Sequence, residues 1–143
     1  MVFSVKRRVE FRDTDAAGIV HFSVFFPMME GAEHELLRSL GIPILPDHHP
    51  SQAALTWPRV AAHCDYLSAA HFEDLLQIEV RVAKIGTSSV QYEFAFSRDG
   101  APIAKGTMTA VCCQLEKDSH GGATRLRKAA IPDPVRTLLK QHQ

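Results

Sequence analysis

The sequence predicts an α+β fold in which one long helix is wrapped by an antiparallel β-sheet. Three observations carry this. A single stretch, Phe25 to Leu40, has an apolar stripe at helical spacing. The segments on either side alternate apolar and polar residues with the period of strands. No second long helical pattern separates the later strands, which argues against the alternating order of a doubly wound parallel sheet.

The elements follow in order. Residues 2–11 alternate loosely, with Phe3, Val5, Val9 and Phe11 on one side, and read as a first strand. The loop Asp13-Thr14-Asp15-Ala16-Ala17-Gly18 leads to the helix, where Phe25, Met29, Ala32, Leu36 and Leu40 recur at steps of three and four. Ser23 is the expected N-cap, Pro27 falls in the first turn, and Gly41 with Pro43 marks the end. Residues 43–52, which include His48 and His49, read as a loop. Strands are then expected from about Leu55 to Tyr66, around Ile78, Val80 and Val82, and through Val90, Tyr92, Phe94 and Phe96. Asp99-Gly100 supplies a hairpin turn into a long strand from Ile103 to about Leu115. Ser119 to Ala123 reads as a flexible loop, and the tail from Pro134 as a short helix.

Composition sets the outer limits. The 143 residues suit one domain over 1–143, and 45% hydrophobic with 22% charged residues fits a soluble globular chain. Lys+Arg and Asp+Glu number 16 each, so nothing favours nucleic acid or an acidic membrane as partner. Cys64, Cys112 and Cys113 form no metal pattern, and neighbours in a strand point to opposite faces. Reduced thiols and a cytoplasmic setting are expected. Lys6, Arg7 and Arg8 precede no apolar run, so no signal peptide or membrane span is expected.

The most informative segment runs from Asp13 to Phe22. It sets two carboxylates, two small residues and a glycine before a helix whose N-terminus exposes N–H donors and positive dipole. Two readings fit. Asp13, Thr14 or Asp15 can cap the helix end. Alternatively, a carboxylate serves as base or nucleophile beside donors that hold a carbonyl oxygen as it gains charge.

The run Arg8-Val9-Glu10-Phe11-Arg12-Asp13-Thr14-Asp15-Ala16-Ala17-Gly18-Ile19-Val20-His21-Phe22 resembles the signature of the 4-hydroxybenzoyl-CoA thioesterase family, an Asp-x-Asp-x-x-Gly segment ahead of the central helix. Asp65-Tyr66-Leu67 and Phe72-Glu73-Asp74-Leu75-Leu76 resemble the family's third-strand region. The resemblance spans about residue 5 to residue 116. It implies the hot-dog fold and hydrolysis of an acyl thioester of coenzyme A or of a pantetheine carrier, with no cofactor and no metal. It implies that Asp15 is the catalytic carboxylate, as nucleophile or general base. The Phe22 N–H would polarise the carbonyl, Gly18 would allow close approach, and Asp13 would be structural. It also implies a homodimer or homotetramer with a continuous sheet. The active site would then lie between subunits, the second protomer contributing residues from Trp57 to Tyr66 or from Gly86 to Val90. Here Val24-Phe25 and His21-Phe22 replace an Asn-Tyr and a Tyr-His pair of relatives.

The remaining candidates keep two readings each. His21 touches substrate or is an exposed helix-start histidine. Trp57 lines the acyl pocket or fills core. Glu30, Glu33 and His34 have metal-like spacing, yet read better as a solvated helix face, with Glu30 or Glu33 as reserve catalytic carboxylate. Cys64 reads as a strand thiol. The turn Gly86-Thr87-Ser88 lacks the basic residues that meet nucleotide phosphates in relatives, leaving Thr87, Ser88 and Arg59 as weak contacts; Lys84 and the cluster Arg125, Arg127 and Lys128 are further cations. The rival functions are a hot-dog hydratase or dehydratase and a non-catalytic acyl-CoA or acyl-carrier binding module.

Overall fold

A computed structural model describes residues 2–44, 55–117 and 124–143 of the chain. Strand β1 (Phe3–Arg8) leads to the central helix α1 (Phe25–Ser39). There follow β2 (Leu55–Thr56), β3 (Arg59–Tyr66), β4 (Leu75–Ile85), β5 (Ser89–Arg98), β6 (Ala101–Val111), β7 (Cys113–Lys117), β8 (Thr124–Lys128) and a short helix α2 (Asp133–Lys140). Five strands form an antiparallel sheet in the order β1-β4-β5-β6-β3, and β2-β7-β8 form a second sheet.

The alternation expected of the strands is what the sheet uses. Leu76, Ile78, Val80 and Val82 of β4, Val90, Tyr92, Phe94 and Phe96 of β5, and Ile103 and Met108 of β6 are buried beneath α1. The helix meets them with Phe25, Met28, Met29, Ala32, Leu36 and Leu37. Each large side chain so buried contributes about 1.5–3 kcal/mol of transfer free energy. Gly106 lets the layers approach: a side-chain carbon there would collide with the Met29 sulfur. Asp99 and Gly100 have φ of +50° and +81°, the paired left-handed residues of a tight hairpin.

Helix α1 ends as its sequence dictates. Gly41 at φ +70° donates to the Arg38 carbonyl and Ile42 to that of Leu37, the two bonds of a Schellman close. Its start differs. A 3₁₀ turn, Phe22–Val24, precedes it, and the cap is His21, whose Nδ1 accepts the Ser23 N–H at 3.2 Å. Ser23 is therefore inside the turn rather than capping it.

Other boundaries shift for local reasons. β1 stops at Arg8: the Val9 N–H still reaches the Asp74 carbonyl in register, but the Val9 carbonyl takes the Glu73 N–H in place of that of Asp74, and Phe11–Asp13 form a 3₁₀ turn. Phe11 consequently stands 77% exposed. The strand expected over Leu55 to Tyr66 breaks at Trp57-Pro58, where proline has no N–H for a ladder. The strand expected to run to Leu115 breaks at Cys112, where the chain passes from one sheet to the other: its N–H bonds to the Ser88 carbonyl at 2.6 Å and its carbonyl takes the Ala129 N–H at 2.9 Å. Strand β8 was not anticipated: alternating Arg125, Leu126, Arg127 and Lys128 are all exposed, so no buried face marks it. Cys112 and Cys113 are both buried, Cys64 is half-buried, and all three are free thiols. His48, His49 and the Ser119 to Ala123 loop lie outside the described residues.

Candidate active site

The Asp13–Phe22 segment folds into a small bridge ahead of α1. Thr14 and Val20 pair as an antiparallel bridge, the Asp15 N–H donates to the Ile19 carbonyl at 3.0 Å, and the Gly18 N–H donates to the Asp15 carbonyl at 2.9 Å. Gly18 makes the reversal at φ +78°, a conformation costly for a residue with a side chain. The Asp15 carboxylate is half-exposed. One oxygen accepts the Ala17 N–H at 2.9 Å, and no hydrogen bond occupies the other among the described residues. Asp13 works differently. Its carboxylate accepts the Glu10 N–H at 2.8 Å and its carbonyl accepts the His21 N–H at 2.8 Å. Each carboxylate thus accepts one backbone N–H among the described residues, Asp13 reaching back to Glu10 and Asp15 forward to Ala17.

At the far end of the bridge, His21 and Phe22 stack with ring centroids 4.4 Å apart. The Phe22 N–H opens the 3₁₀ turn, where the turn itself offers no acceptor. Among the described residues no backbone carbonyl takes it. The Phe22 carbonyl is held by the Tyr66 hydroxyl at 2.8 Å, and the Tyr66 ring stands edge-on to Phe25, which is edge-on to Phe96. Tyr66 therefore anchors the start of the helix to the end of β3.

A second loop buttresses the first. The Val20 N–H donates to the Ala70 carbonyl and Ile19 pairs with His71 as a bridge. Asp74 closes this loop: its carboxylate accepts the His71 N–H at 2.8 Å and Arg98 at 2.6 Å. Those bonds, the His71 N–H first among them, hold the Asp74 carboxyl below the usual carboxylate range.

Trp57 and Arg59 belong to a different neighbourhood. With Glu33, His34, Thr56 and Ile44 they line a cleft of about 290 Å³ beside α1. Glu33 is 1% exposed, not on a solvated helix face, and its carboxylate meets Arg59 at 2.5 Å. Burial pushes its pKa up to about 7, against the lowering pull of Arg59. Arg59 also donates to the Trp57 carbonyl at 3.0 Å. The cation assigned from sequence to nucleotide phosphate is thus already engaged by Glu33.

The turn between β4 and β5 is likewise occupied. Ser88 is 9% exposed, which withdraws its hydroxyl from a phosphate in solvent, whereas Thr87 is exposed. Arg136 of α2 donates to the Gly86 carbonyl at 2.8 Å and the Thr87 carbonyl at 3.2 Å.

The sequence model of the Thioesterase-like superfamily matches residues 9–139. The chain belongs to this superfamily. It is 30% identical over 134 residues to a 1,4-dihydroxy-2-naphthoyl-CoA hydrolase of Prochlorococcus marinus, covering 92% of this chain and 84% of the relative. It is 30% identical over 115 residues to the acyl-CoA thioesterase YbgC of Haemophilus influenzae, covering 80% of this chain and 83% of the relative. Among solved structures, a 4-hydroxybenzoyl CoA thioesterase mutant complexed with 4-hydroxybenzoyl CoA superposes with a TM-score of 0.83 at 19% identity, covering 96% of this chain and 98% of that one. The gentisyl-coenzyme A thioesterase BH1999 gives 0.75 at 26% identity, with 96% and 98% coverage. The fold is accordingly the hot-dog fold of these thioesterases, the helix-on-sheet arrangement expected from the strand and helix periodicities.

Within this thioesterase-like framework the structure brings Asp15, Gly18, His21 and Phe22 into one loop, and places Trp57, Arg59, Thr87 and Ser88 elsewhere on the protomer. Tyr66 and Asp74 were missed as supports of that loop. Their signal was present in the Asp65-Tyr66-Leu67 and Phe72 to Leu76 stretches, read only as fold.

Proposed function

We propose that the chain hydrolyses acyl-CoA thioesters at the Asp13–Phe22 loop, with Asp15 as the catalytic carboxylate and the Phe22 N–H as oxyanion donor. It is an acyl-CoA thioester hydrolase. What supports the residue assignment is the place of Asp15 as the second aspartate of the Asp-x-Asp-x-x-Gly segment, half-exposed at the Gly18 reversal that leads to Phe22, whose N–H has no backbone acceptor among the described residues.

The chemistry follows from that layout. The thioester carbonyl oxygen sits on the Phe22 N–H at the positive end of the helix. Water attacks the carbonyl carbon while Asp15 takes its proton, forming the tetrahedral oxyanion. Collapse breaks the C–S bond, and the thiolate recovers the proton. In the nucleophilic variant Asp15 itself forms the new C–O bond, and water then cleaves the anhydride. A positioned base contributes about 10²–10⁴ in rate and one oxyanion donor about 10²–10³. His21 and Gly18 border the carbonyl.

The assembly we propose is a homo-oligomer built on β3. This strand is an edge of the sheet, and seven of its eight residues from Val60 to Tyr66 alternate little in exposure, with Val60 63% and Tyr66 47% exposed. An open edge of that length invites strand pairing with a second copy. The reading comprises one domain over 1–143 working in the cytoplasm; no described helix is long and apolar enough to cross a membrane.

Thiol release measured over a panel of short, long and aromatic acyl-CoAs tests the activity. Turnover of at least one thioester that disappears in Asp15→Asn, with an unchanged melting temperature, is expected. An Asp15→Asn protein that keeps most of its kcat/KM would move the chemistry to another residue.

A further inference from the structure

An N–H that is to hold an oxyanion must point in a fixed direction, and packing does little to fix that of Phe22. The residue stands 62% exposed, with the His21 ring stacked on its own. Backbone bonds hold it instead. The His21 N–H donates to the Asp13 carbonyl at 2.8 Å. The His21 carbonyl, which shares a peptide plane with the Phe22 N–H, accepts the Val24 N–H at 2.9 Å. Both bonds are local, and helix ends fray. The third restraint comes from far along the chain: the Tyr66 hydroxyl donates to the Phe22 carbonyl at 2.8 Å.

Tyr66 has a firm footing for this. It pairs with Ala104 in the ladder between β3 and β6, and the N–H groups of Leu67 and Ser68 both go to the Ile103 carbonyl. Its ring stands edge-on to Phe25 with centroids 5.4 Å apart. A phenylalanine would make that ring contact equally well; the hydroxyl is what reaches Phe22. We propose that Tyr66 is a positioning residue for thioester hydrolysis, its hydroxyl setting the direction in which the Phe22 N–H meets the substrate carbonyl. The proposal rests on the reading of that N–H as the oxyanion donor.

The consequence is graded. A hydrogen bond weakens steeply as it bends away from linearity. Deleting one oxyanion donor outright costs about 10²–10³ in rate, and loosening it costs a part of that, about tenfold. The loss falls on kcat more than on KM, because the bond strengthens as the carbonyl oxygen gains charge. Stability should change little. Tyr66 is 47% exposed, so water can reach the Phe22 carbonyl when the hydroxyl is gone. A phenol with a pKa of about 10 in water is a donor at neutral pH, and partial burial with Cys64 alongside raises that pKa.

Tyr66→Phe deletes the hydroxyl and keeps the ring; Tyr66→Leu deletes both and serves as the second variant. Kinetics use the acyl-CoA that the wild type turns over fastest. Infrared difference spectra use its ketone analogue, in which a methylene replaces the sulfur and the carbonyl carries ¹³C. The analogue is not hydrolysed, so its carbonyl stretch reports on the donor without turnover, at lower frequency for a stronger hydrogen bond. In Tyr66→Phe, kcat should fall about tenfold with KM within about twofold, at a nearly unchanged melting temperature. The ketone band should move to higher frequency than in the wild type. Tyr66→Leu should move the band the same way whatever its melting temperature. An unchanged kcat in Tyr66→Phe, or a band that stays in place in both variants even if kcat falls, overturns the proposal and leaves Tyr66 a residue of the fold alone. The two levels fail separately. A wild type that turns over no thioester defeats the hydrolase reading and this assignment with it, whereas an active wild type with an unmoved band defeats only the role of Tyr66.

Discussion

Two carboxylates stand at opposite extremes in this molecule. Asp15 is half-exposed, held by backbone bonds within a ten-residue loop, and keeps one oxygen free. Glu33 is 1% exposed, held by a cation from a strand far along the chain, and has its pKa pushed up to about 7. The difference teaches that what burial does to a carboxyl and what exposure offers a substrate pull in opposite directions. Reaction needs access for water and substrate, which the half-exposed Asp15 offers and the buried Glu33 does not. Burial beside Arg59 makes Glu33 part of the packing between α1 and β3.

Substitution can break this comparison at either end. The largest effect is expected at Asp15: Asp15→Asn removes the base, and kcat should fall about 10²–10⁴-fold with little change in stability. Glu33→Gln should leave the loop intact and act through pH. Between pH 4.5 and 7 the folded protein holds a proton on Glu33 that the unfolded chain has lost, so folding takes up a proton and raising pH works against it. Stability from this group is complete below pH 4.5 and is lost as pH rises through 7. The loss is about 3 kcal/mol, from a 1.36 kcal/mol step for each tenfold change in proton affinity. Denaturant melts from pH 4.5 to 7.5 should show that fall in the wild type relative to Glu33→Gln. Parallel curves for the two proteins would mean that Glu33 is not the buried acid described.

A smaller effect sharpens the account of the loop. Asp74 acts through backbone: it holds His71, which pairs with Ile19, whose carbonyl receives the Asp15 N–H. Asp74→Asn keeps the shape but weakens the bonds to His71 and Arg98. A drop in kcat of about tenfold, the loss of roughly 1.4 kcal/mol, is expected without a shift in the pH profile. A change confined to thermal stability would limit Asp74 to holding the fold.

How much of this was legible in sequence depends on the range of each interaction. The Asp13–Phe22 loop is built from bonds between near neighbours, so its residue types announced it, and Gly18 and Gly41 fell where left-handed backbone is needed. The helix and the three long strands showed through their periodicities. What stayed hidden joins distant segments. Glu33 looked like a surface carboxylate because nothing near it in sequence betrays Arg59 as its counter-ion. Tyr66 reaches Phe22 across 44 residues. Ser88 looked available in a turn, but Cys112 and Ile131 dock on that turn and bury it. β8 escaped notice because a strand exposed along its length has no apolar face to read.

The smallest effect is expected at the nucleotide end, where the contrast between engaged and free groups decides again. Phosphate contacts normally come from Arg or Lys through charge-assisted bonds. Arg59 is engaged by Glu33, and Arg136, the cation nearest the β4–β5 turn, is engaged by the Gly86 and Thr87 carbonyls. Exposed Lys84 and the exposed cations of β8 remain, and of the latter Arg127 pairs with Glu116 at 3.2 Å. Exposed pairs of this kind contribute about 0–1 kcal/mol and are screened by salt. An acyl-CoA and the corresponding acyl-pantetheine should therefore have kcat/KM values within about tenfold of each other, a difference below about 1.4 kcal/mol. Measuring the ratio at low and at moderate ionic strength shows how much of any difference comes from exposed charges, because those interactions weaken with salt. If truncation costs a hundredfold or more, and neutralising Arg125, Arg127 and Lys128 together reproduces that cost with full-length acyl-CoA, then β8 is a phosphate clamp. Its lack of a buried face would then be explained by the ligand it covers.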